Sequence, residues 1–345
     1  MHPIRTDVMK SIIADKFYIQ GLSNIERKKY LQKINLLKYI YEEGPQSNAD
    51  IAGFLNLSLP TSILIINDLL KDGLLESKGR GKSIGGRKPV VYSIKDSSFL
   101  ILSIHIERFK VTMAIYDNNY NSLAAIKKVS LPISNEINYI NLLHDIVSEF
   151  IRSSGILITQ LVGIGIDMPG LVDPKEGENY TYLTAVVKSK TLQETLEDKF
   201  NIPVFIQNDV KSVTTAESRF GLARNRKDVL VILMDWGIGL GIVMDGKLQN
   251  GTSGFSGEFG HIPFVDDGAL CYCGKRGCLE TVASGIALAR MAKEGIKSGQ
   301  NSLLNELSDQ EIDQIEPQLV INAAIVEISM QLAYSGILVR NLAKA

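Results

Sequence analysis

All three cysteines of the 345-residue chain, Cys271, Cys273 and Cys278, fall within Gly257–Glu280, GEFGHIPFVDDGALCYCGKRGCLE. Thiolates and imidazole together suit tetrahedral zinc, and His261 precedes Cys271 by ten residues, near enough to fold back as a fourth ligand. Gly268, Gly274 and Gly277 allow the tight turning that would converge three sulfurs on one ion. The plain alternative is three thiols packed as small hydrophobes. A C-x-C-x4-C pattern crowded with glycines fits that alternative poorly, and an odd number of cysteines argues against a complete set of internal disulfides. A Cys3His shell leaves no open coordination position, so the expected zinc is structural. It would hold Glu258 and Glu280, at the two ends of the stretch, in fixed relation.

The bulk composition constrains the partners. Lys+Arg number 37 against 38 Asp+Glu, so overall charge recruits neither nucleic acid nor membrane, and any DNA-binding face must be local. The length allows two or three domains. Few cysteines, arranged for metal, fit a reducing cytoplasm. The opening MHPIRTDVMKSIIADK scatters charges among its apolar residues and has no signal-peptide core. No apolar run approaches about 18 residues, so a cytoplasmic protein without a membrane span is expected.

Periodicity places the elements. Lys28–Tyr41 sets Tyr30, Ile34, Leu37 and Tyr41 on one helical face and ends before Gly44-Pro45. Ser47-Asn48 offers an N-cap for a short helix over Ala49–Leu55, with Asp50 in its first turn. After a turn at Leu57-Ser58, Pro60 opens a second helix that runs to Lys71 and stops at Gly73. Two short helices behind a longer one predict a helix-turn-helix. Residues expected to face a major groove are Thr61, Ser62 and Asn67, with Lys71 nearer phosphate. Ile63, Leu64, Ile65 and Ile66 make the helix unusually apolar, so some are core or contact a thymine methyl. Strand-like Leu74-Leu75-Glu76 and Val90–Ile94 then flank a loop carrying Lys78, Arg80, Lys82, Arg87 and Lys88 with no acid between them. That reads as a basic wing, the local electrostatic footprint of DNA binding; the alternative is a solvated loop.

From Phe99 the pattern changes to paired strands, Phe99–Ile106 and Val111–Tyr116. An amphipathic helix near Ile137–Ser153, a strand at Leu161–Ile166, a helix near Leu192–Phe200 and a strand at Val204–Ile206 follow. A helix over Val210–Phe220 and the pair Val229–Met234 and Ile238–Met244 complete an α/β pattern. The expected domains are a winged helix-turn-helix over 24–95, a first lobe over 96–208, and a second lobe with the zinc loop over 209–345.

The signature G-E-x-G-H followed by C-x-C-G-x-x-G-C-x-E resembles that of the ROK family of bacterial sugar kinases and sugar-responsive repressors. The likeness runs from about Lys33 to about Ala283, and the GGRKP segment resembles the wing of ROK repressors. It implies the two-lobed actin-like, ribonuclease-H-like ATPase fold. It also implies that Asn208, Asp209, Glu258, His261 and Glu280 bind the hydroxyls of a sugar or sugar phosphate. Carboxylates and a carboxamide suit that work, because charged acceptors make the stronger hydrogen bonds; Asn208-Asp209 as a simple helix cap is the alternative. In a kinase Asp209 would be the general base. His261 is expected in both the zinc shell and the sugar site, one ring nitrogen serving each.

The likeness fails where ATP would bind. The family's Asp-x-Gly-Gly-Thr turn is matched here by His105-Ile106-Glu107-Arg108-Phe109, which lacks the magnesium acid, both glycines and the hydroxyl. Gly237-Ile-Gly239-Leu-Gly241 keeps the glycines of the second phosphate loop, but Asp235 and Trp236 precede it, and the glycines also suit packing alone. Relatives continue beyond the equivalent of Ala345 with a further strand and turn, so the nucleotide side is reduced or the sequence stops short. Phosphoryl transfer depends on positioning and charge neutralisation, so no catalysis is expected. The expectation is a sugar-responsive repressor that binds operator DNA as a homodimer or homotetramer. An ATP-dependent sugar kinase with an added DNA-binding domain, and a regulator set by a protein partner, are the alternatives.

Overall fold

A computed structural model describes residues 22–80, 89–136, 138–184, 189–306, 312 and 315–327. Wing residues Lys82, Arg87 and Lys88, the expected helix start at Ile137 and the stretch after Gln331 lie outside the described residues. The chain divides into two compact units between Asn208 and Asp209.

The first unit opens with α1 (Asn24–Glu43), whose N-cap Ser23 forms a reciprocal capping box with Glu26. Its buried residues are Leu36, Leu37 and Ile40. The expected stripe is therefore rotated, and Tyr41 faces outward. β1 (Gln46–Ser47) leads to α2 (Asn48–Leu55), capped by Ser47 with Asp50. The turn through left-handed Asn56 then delivers α3 (Leu59–Lys71), capped by Ser58 with proline in its first turn. β2 (Leu75–Arg80) and β3 (Val90–Ile94) pair antiparallel, and β1 joins them on the far side of β3. Leu36, Ile51, Ile66, Leu69 and Leu74 form the core of this winged helix, which continues into Phe99, just before the sheet beyond, and Val162 within it.

That sheet has the order β10-β7-β4-β5-β6. It is built from β4 (Leu100–Ile106), β5 (Lys110–Asp117), β6 (Lys127–Ser130), β7 (Leu161–Met168) and β10 (Val204–Asn208). A small ribbon of β8 (Val172–Asp173) and β9 (Glu178–Asn179) follows β7. One face packs on α4 (Tyr139–Ser154) and α5 (Leu192–Phe200), burying Leu102, Ile104, Ile164, Leu143 and Leu196. Strands β4, β7 and β10 run parallel, so His105, Asp167 and Gln207 stand in register near their carboxyl ends. In open α/β sheets this edge is where ligands bind.

The second unit begins with α6 (Asp209–Phe220) and continues with the meander β11 (Val229–Met234), β12 (Ile238–Met244) and β13 (Lys247–Leu248). After the cysteine loop come α7 (Glu280–Ala283) and α8 (Gly285–Lys297). Among the described residues no single helix is long and apolar enough to cross a membrane.

Candidate functional site

Helix α3, the second of the helix-turn-helix, separates cleanly into two faces. Ser62, Ile65, Ile66 and Leu69 are buried, whereas Thr61, Leu64, Asn67, Asp68 and Lys71 are exposed. Both sets repeat every three or four residues, as the two sides of one helix must. Ser62 is a correction: its hydroxyl donates to Asn48 Oδ1 at 2.6 Å and is fully buried, so it braces α2 against α3 and faces no groove. Lys78 is also more balanced than the loop alone indicated. Its ammonium lies 2.9 Å from Glu76 and 3.5 Å from Asp96. Glu76 lies two residues before Lys78 on the same strand, whereas Asp96, just beyond β3, reaches Lys78 because β2 and β3 are neighbours.

Side chains of the turn from His105 to Phe109 pair with one another and with the neighbouring strands. His105 Nδ1 pairs with Asp167 Oδ1 across the β4–β7 register. Glu107 Oε1 lies 3.2 Å from Lys110 Nζ, and its other oxygen accepts from Thr112 Oγ1 at 3.4 Å. The Arg108 guanidinium sits 5.5 Å from the Phe109 ring centroid, a cation–π distance.

The glycine-rich hairpin serves packing. A Cβ on Gly239 would stand 2.2 Å from Val210 Cγ2, and one on Gly241 would stand 1.7 Å from Thr214 Oγ1. Only glycine lets α6 lie this close to β12. At Gly237 the neighbour is a carboxylate: Glu280 Oε2 would be 2.6 Å from an added Cβ and accepts from the Ile238 N–H at 3.2 Å. Glu280 is buried and acts as a latch on this turn. A carboxylate has about four acceptor positions, so the latch does not exhaust it.

The four candidate metal ligands converge. One ligand atom from each of His261, Cys271, Cys273 and Cys278 lies within 4.8 Å of all the others. Cys271 Sγ is 3.5 Å from His261 Nδ1, and Cys273 Sγ is 3.6 Å from Cys278 Sγ. A tetrahedral zinc with its usual bond lengths would set such atoms about 3.5–3.8 Å apart, so the donor set fits that ion. Burial pushes the Cys271 thiol up to about 12, raises Cys278 and lowers His261. The imidazole is thus neutral and ready to ligate, while a metal must displace thiol protons. His261 Nε2 meets Tyr272 Oη at 2.9 Å and Glu258 Oε2 at 3.8 Å. The nitrogen expected to reach a sugar is therefore already engaged with a phenol.

Of the remaining candidates, Asn208 ends β10 and its amide donates to Gly170 O at 3.1 Å. Asp209 opens α6, and its Oδ1 accepts from the Val210 N–H at 2.7 Å. Two residues on, Lys211 is buried. Burial raises the Glu258 carboxyl; the Lys211 charge opposes that shift and the Glu280 charge adds to it. Lys211, Glu258 and Glu280 thus set one cation against two acids.

A sequence profile of the ROK family matches residues 101–345, and one described as winged helix-turn-helix DNA-binding matches residues 32–76. The chain belongs to the ROK family. It is 29% identical to the xylose repressor of Caldicellulosiruptor bescii over 86% of this chain and 74% of that one. Among solved structures it resembles a ROK family transcriptional regulator described as a homologue of the E. coli MLC protein. That likeness has a TM-score of 0.63 and 26% identity, over 85% of this chain and 76% of the other. It also resembles a ROK family glucokinase from Streptomyces griseus solved with glucose and AMPPNP, with a TM-score of 0.55 and 30% identity over 65% and 70% of the two chains.

Within this ROK chain, sequence reasoning missed three partners. Asp167 is 62 residues from His105, and only the strand register joins them. Lys211 lies in the same short motif as Asn208 and Asp209, where a charged residue near a helix start was a usable signal. Tyr272 stands between Cys271 and Cys273, where second ligand-orienting groups are to be sought.

Proposed function

We propose that this ROK protein is a sugar-responsive transcriptional repressor that performs no phosphoryl transfer. The observation that carries the reading is the polar exposed face of α3, presented by a winged helix that shares its core with a ROK domain. In this reading Thr61, Asn67 and Lys71, with Lys78, Arg80, Lys82, Arg87 and Lys88 of the wing, contact operator DNA. A sugar or sugar phosphate is held by Asn208, Asp209, Glu258 and Glu280, with His261 in the zinc shell beside Glu258. The turn at His105–Phe109, which lacks the glycines and the magnesium acid of a phosphate loop, supports the loss of ATP chemistry. Zinc at His261, Cys271, Cys273 and Cys278 is structural. Paired winged helices in a homodimer or homotetramer span two half-sites, and a ligand that prefers one arrangement of the protein shifts operator affinity.

The test is a thermal-shift screen of purified protein against neutral sugars and sugar phosphates, since a ligand of the native state must raise the melting temperature. The stabilising compound should then weaken binding to operator DNA in fluorescence anisotropy. Operator affinity that stays constant across the whole panel would refute the repressor reading. One observation favours a kinase as second reading: Asp209 remains at the head of α6 in a chain resembling a glucokinase. Sugar-dependent ATP turnover abolished by Asp209→Asn would establish it.

A further inference from the structure

Beyond its first turn α3 exposes one large side chain that cannot make a hydrogen bond; Leu59, 54% exposed, stands at the start of the helix. Leu64 is 66% exposed, midway between Thr61 and Asn67. Its apolar neighbours do not share this exposure: Ile65 and Ile66 are buried, and Ile63 packs against the winged-helix core. A lone exposed leucine is unremarkable on most surfaces. Here its address gives it meaning, because the second helix of a helix-turn-helix enters the major groove. Thr61 and Asn67 bring a hydroxyl and a carboxamide to the same face, and both can read polar base edges. The one acid exposed on this face, Asp68, lies 3.5 Å from Lys33, a cation it shares with Asp72 at 3.2 Å.

Major-groove edges offer donors and acceptors at every base pair, and thymine alone adds a methyl group. A leucine pressed on a guanine, cytosine or adenine edge would strip water from polar atoms without replacing it. Against a thymine methyl the same leucine buries apolar surface on both sides. We propose that Leu64 is a specificity-determining residue that reads a thymine methyl, fixing an A·T pair within each operator half-site. The inference rests on the DNA-binding reading above. Thr61 and Asn67 would read the flanking positions one helical turn to either side.

Full-length protein would be used to select duplexes from a randomised DNA pool. The selected duplex would then be remade with deoxyuridine replacing each thymine in turn, removing one methyl at a time. The expected result is one thymine per half-site whose replacement weakens wild-type binding about fourfold, the worth of one buried methyl. Leu64→Ala should bind the thymine and uracil versions equally at that position. Because Leu64 is exposed, this variant should keep the wild-type melting temperature, and Leu64→Met, which retains apolar reach, should restore discrimination. Equal uracil penalties in wild type and Leu64→Ala, or no penalty anywhere, would overturn the inference while leaving DNA binding intact. Failure to enrich any duplex would instead remove the DNA-binding reading on which it rests.

Discussion

The Tyr120 phenol donates to the Tyr41 phenol across 2.6 Å, joining the turn after β5 to the last turn of α1. Their rings meet edge to face, with centroids 6.1 Å apart. The same turn grips the segment between winged helix and sheet: Ser97 Oγ donates to Asp117 Oδ2 at 2.9 Å, and Asn119 Nδ2 to Asp96 Oδ1 at 2.8 Å. Asn118 adds bonds to Lys95 O and from the Phe99 N–H, each 3.2 Å. The winged helix is thus pinned to the first-unit sheet.

If that junction transmits the effector signal, Tyr120→Ala should separate binding from response. The compound found by thermal shift should stabilise the variant as much as the wild type. Its effect on operator affinity should shrink from a coupling of about 5–150-fold toward none. Anisotropy titrations with and without the compound measure this directly, and an undiminished response would exclude the junction as the route.

Asp117 predicts an acid limb in stability. Burial would raise its carboxyl, but hydrogen bonds from Asn121, Ser97 and Asn119 outweigh that and hold it below the usual 3.8. A folded-state value below the unfolded one contributes stability in full above the unfolded value, lost as pH falls through the folded one. Asp117→Asn should therefore lower stability at pH 7 by about 1–3 kcal/mol and flatten the loss of melting temperature below about pH 4. Circular-dichroism melts across that range would refute the assignment if the acid limbs of variant and wild type were parallel.

For the metal cluster, elemental analysis should find about one zinc per chain, the stoichiometry of a four-ligand site. Cys278→Ala should abolish it and lower the melting temperature. Tyr272→Phe, which leaves every ligand in place and removes only the hydroxyl at His261 Nε2, should weaken zinc about 10–100-fold against a competing chelator. An unchanged affinity would show that the phenol does not orient the ring.

The glycines of β12 give a contrast between packing and phosphate binding. Gly239→Ala should destabilise by about 1–3 kcal/mol through overpacking against α6. Adding Val210→Ala should recover part of that loss, because the clash is with the valine methyl. A loop kept for nucleotide binding would show no such rescue in chemical denaturation.

The helix-turn-helix was legible because its caps and periodicity are local: Ser47, Ser58 and Gly73 act within a turn of where they stand. The phase of α1 was misjudged because Tyr30 and Tyr41 look like core residues, yet Tyr41 has its partner on another element. Ser62 was misplaced for the converse reason. A serine on an apolar helix looks like a surface residue until Asn48, fourteen positions away, satisfies it. The ROK signature located the cysteines and acids. It could not say that Glu280 bonds Ile238 or that His105 meets Asp167, since those contacts exist only once strands are paired.

The pinned junction limits how such a regulator could be rewired by swapping modules. A winged helix transplanted from another protein would bring its own side chains at the positions of Thr61, Leu64 and Asn67, and with them a new DNA preference. It would arrive without Tyr41 and without the linker groups of Asp96 and Ser97 that the turn at Asp117–Tyr120 holds. If the junction carries the effector signal, the chimaera would find its new address and stay deaf to the sugar. Reading and listening would then be written in separate residues of one small domain.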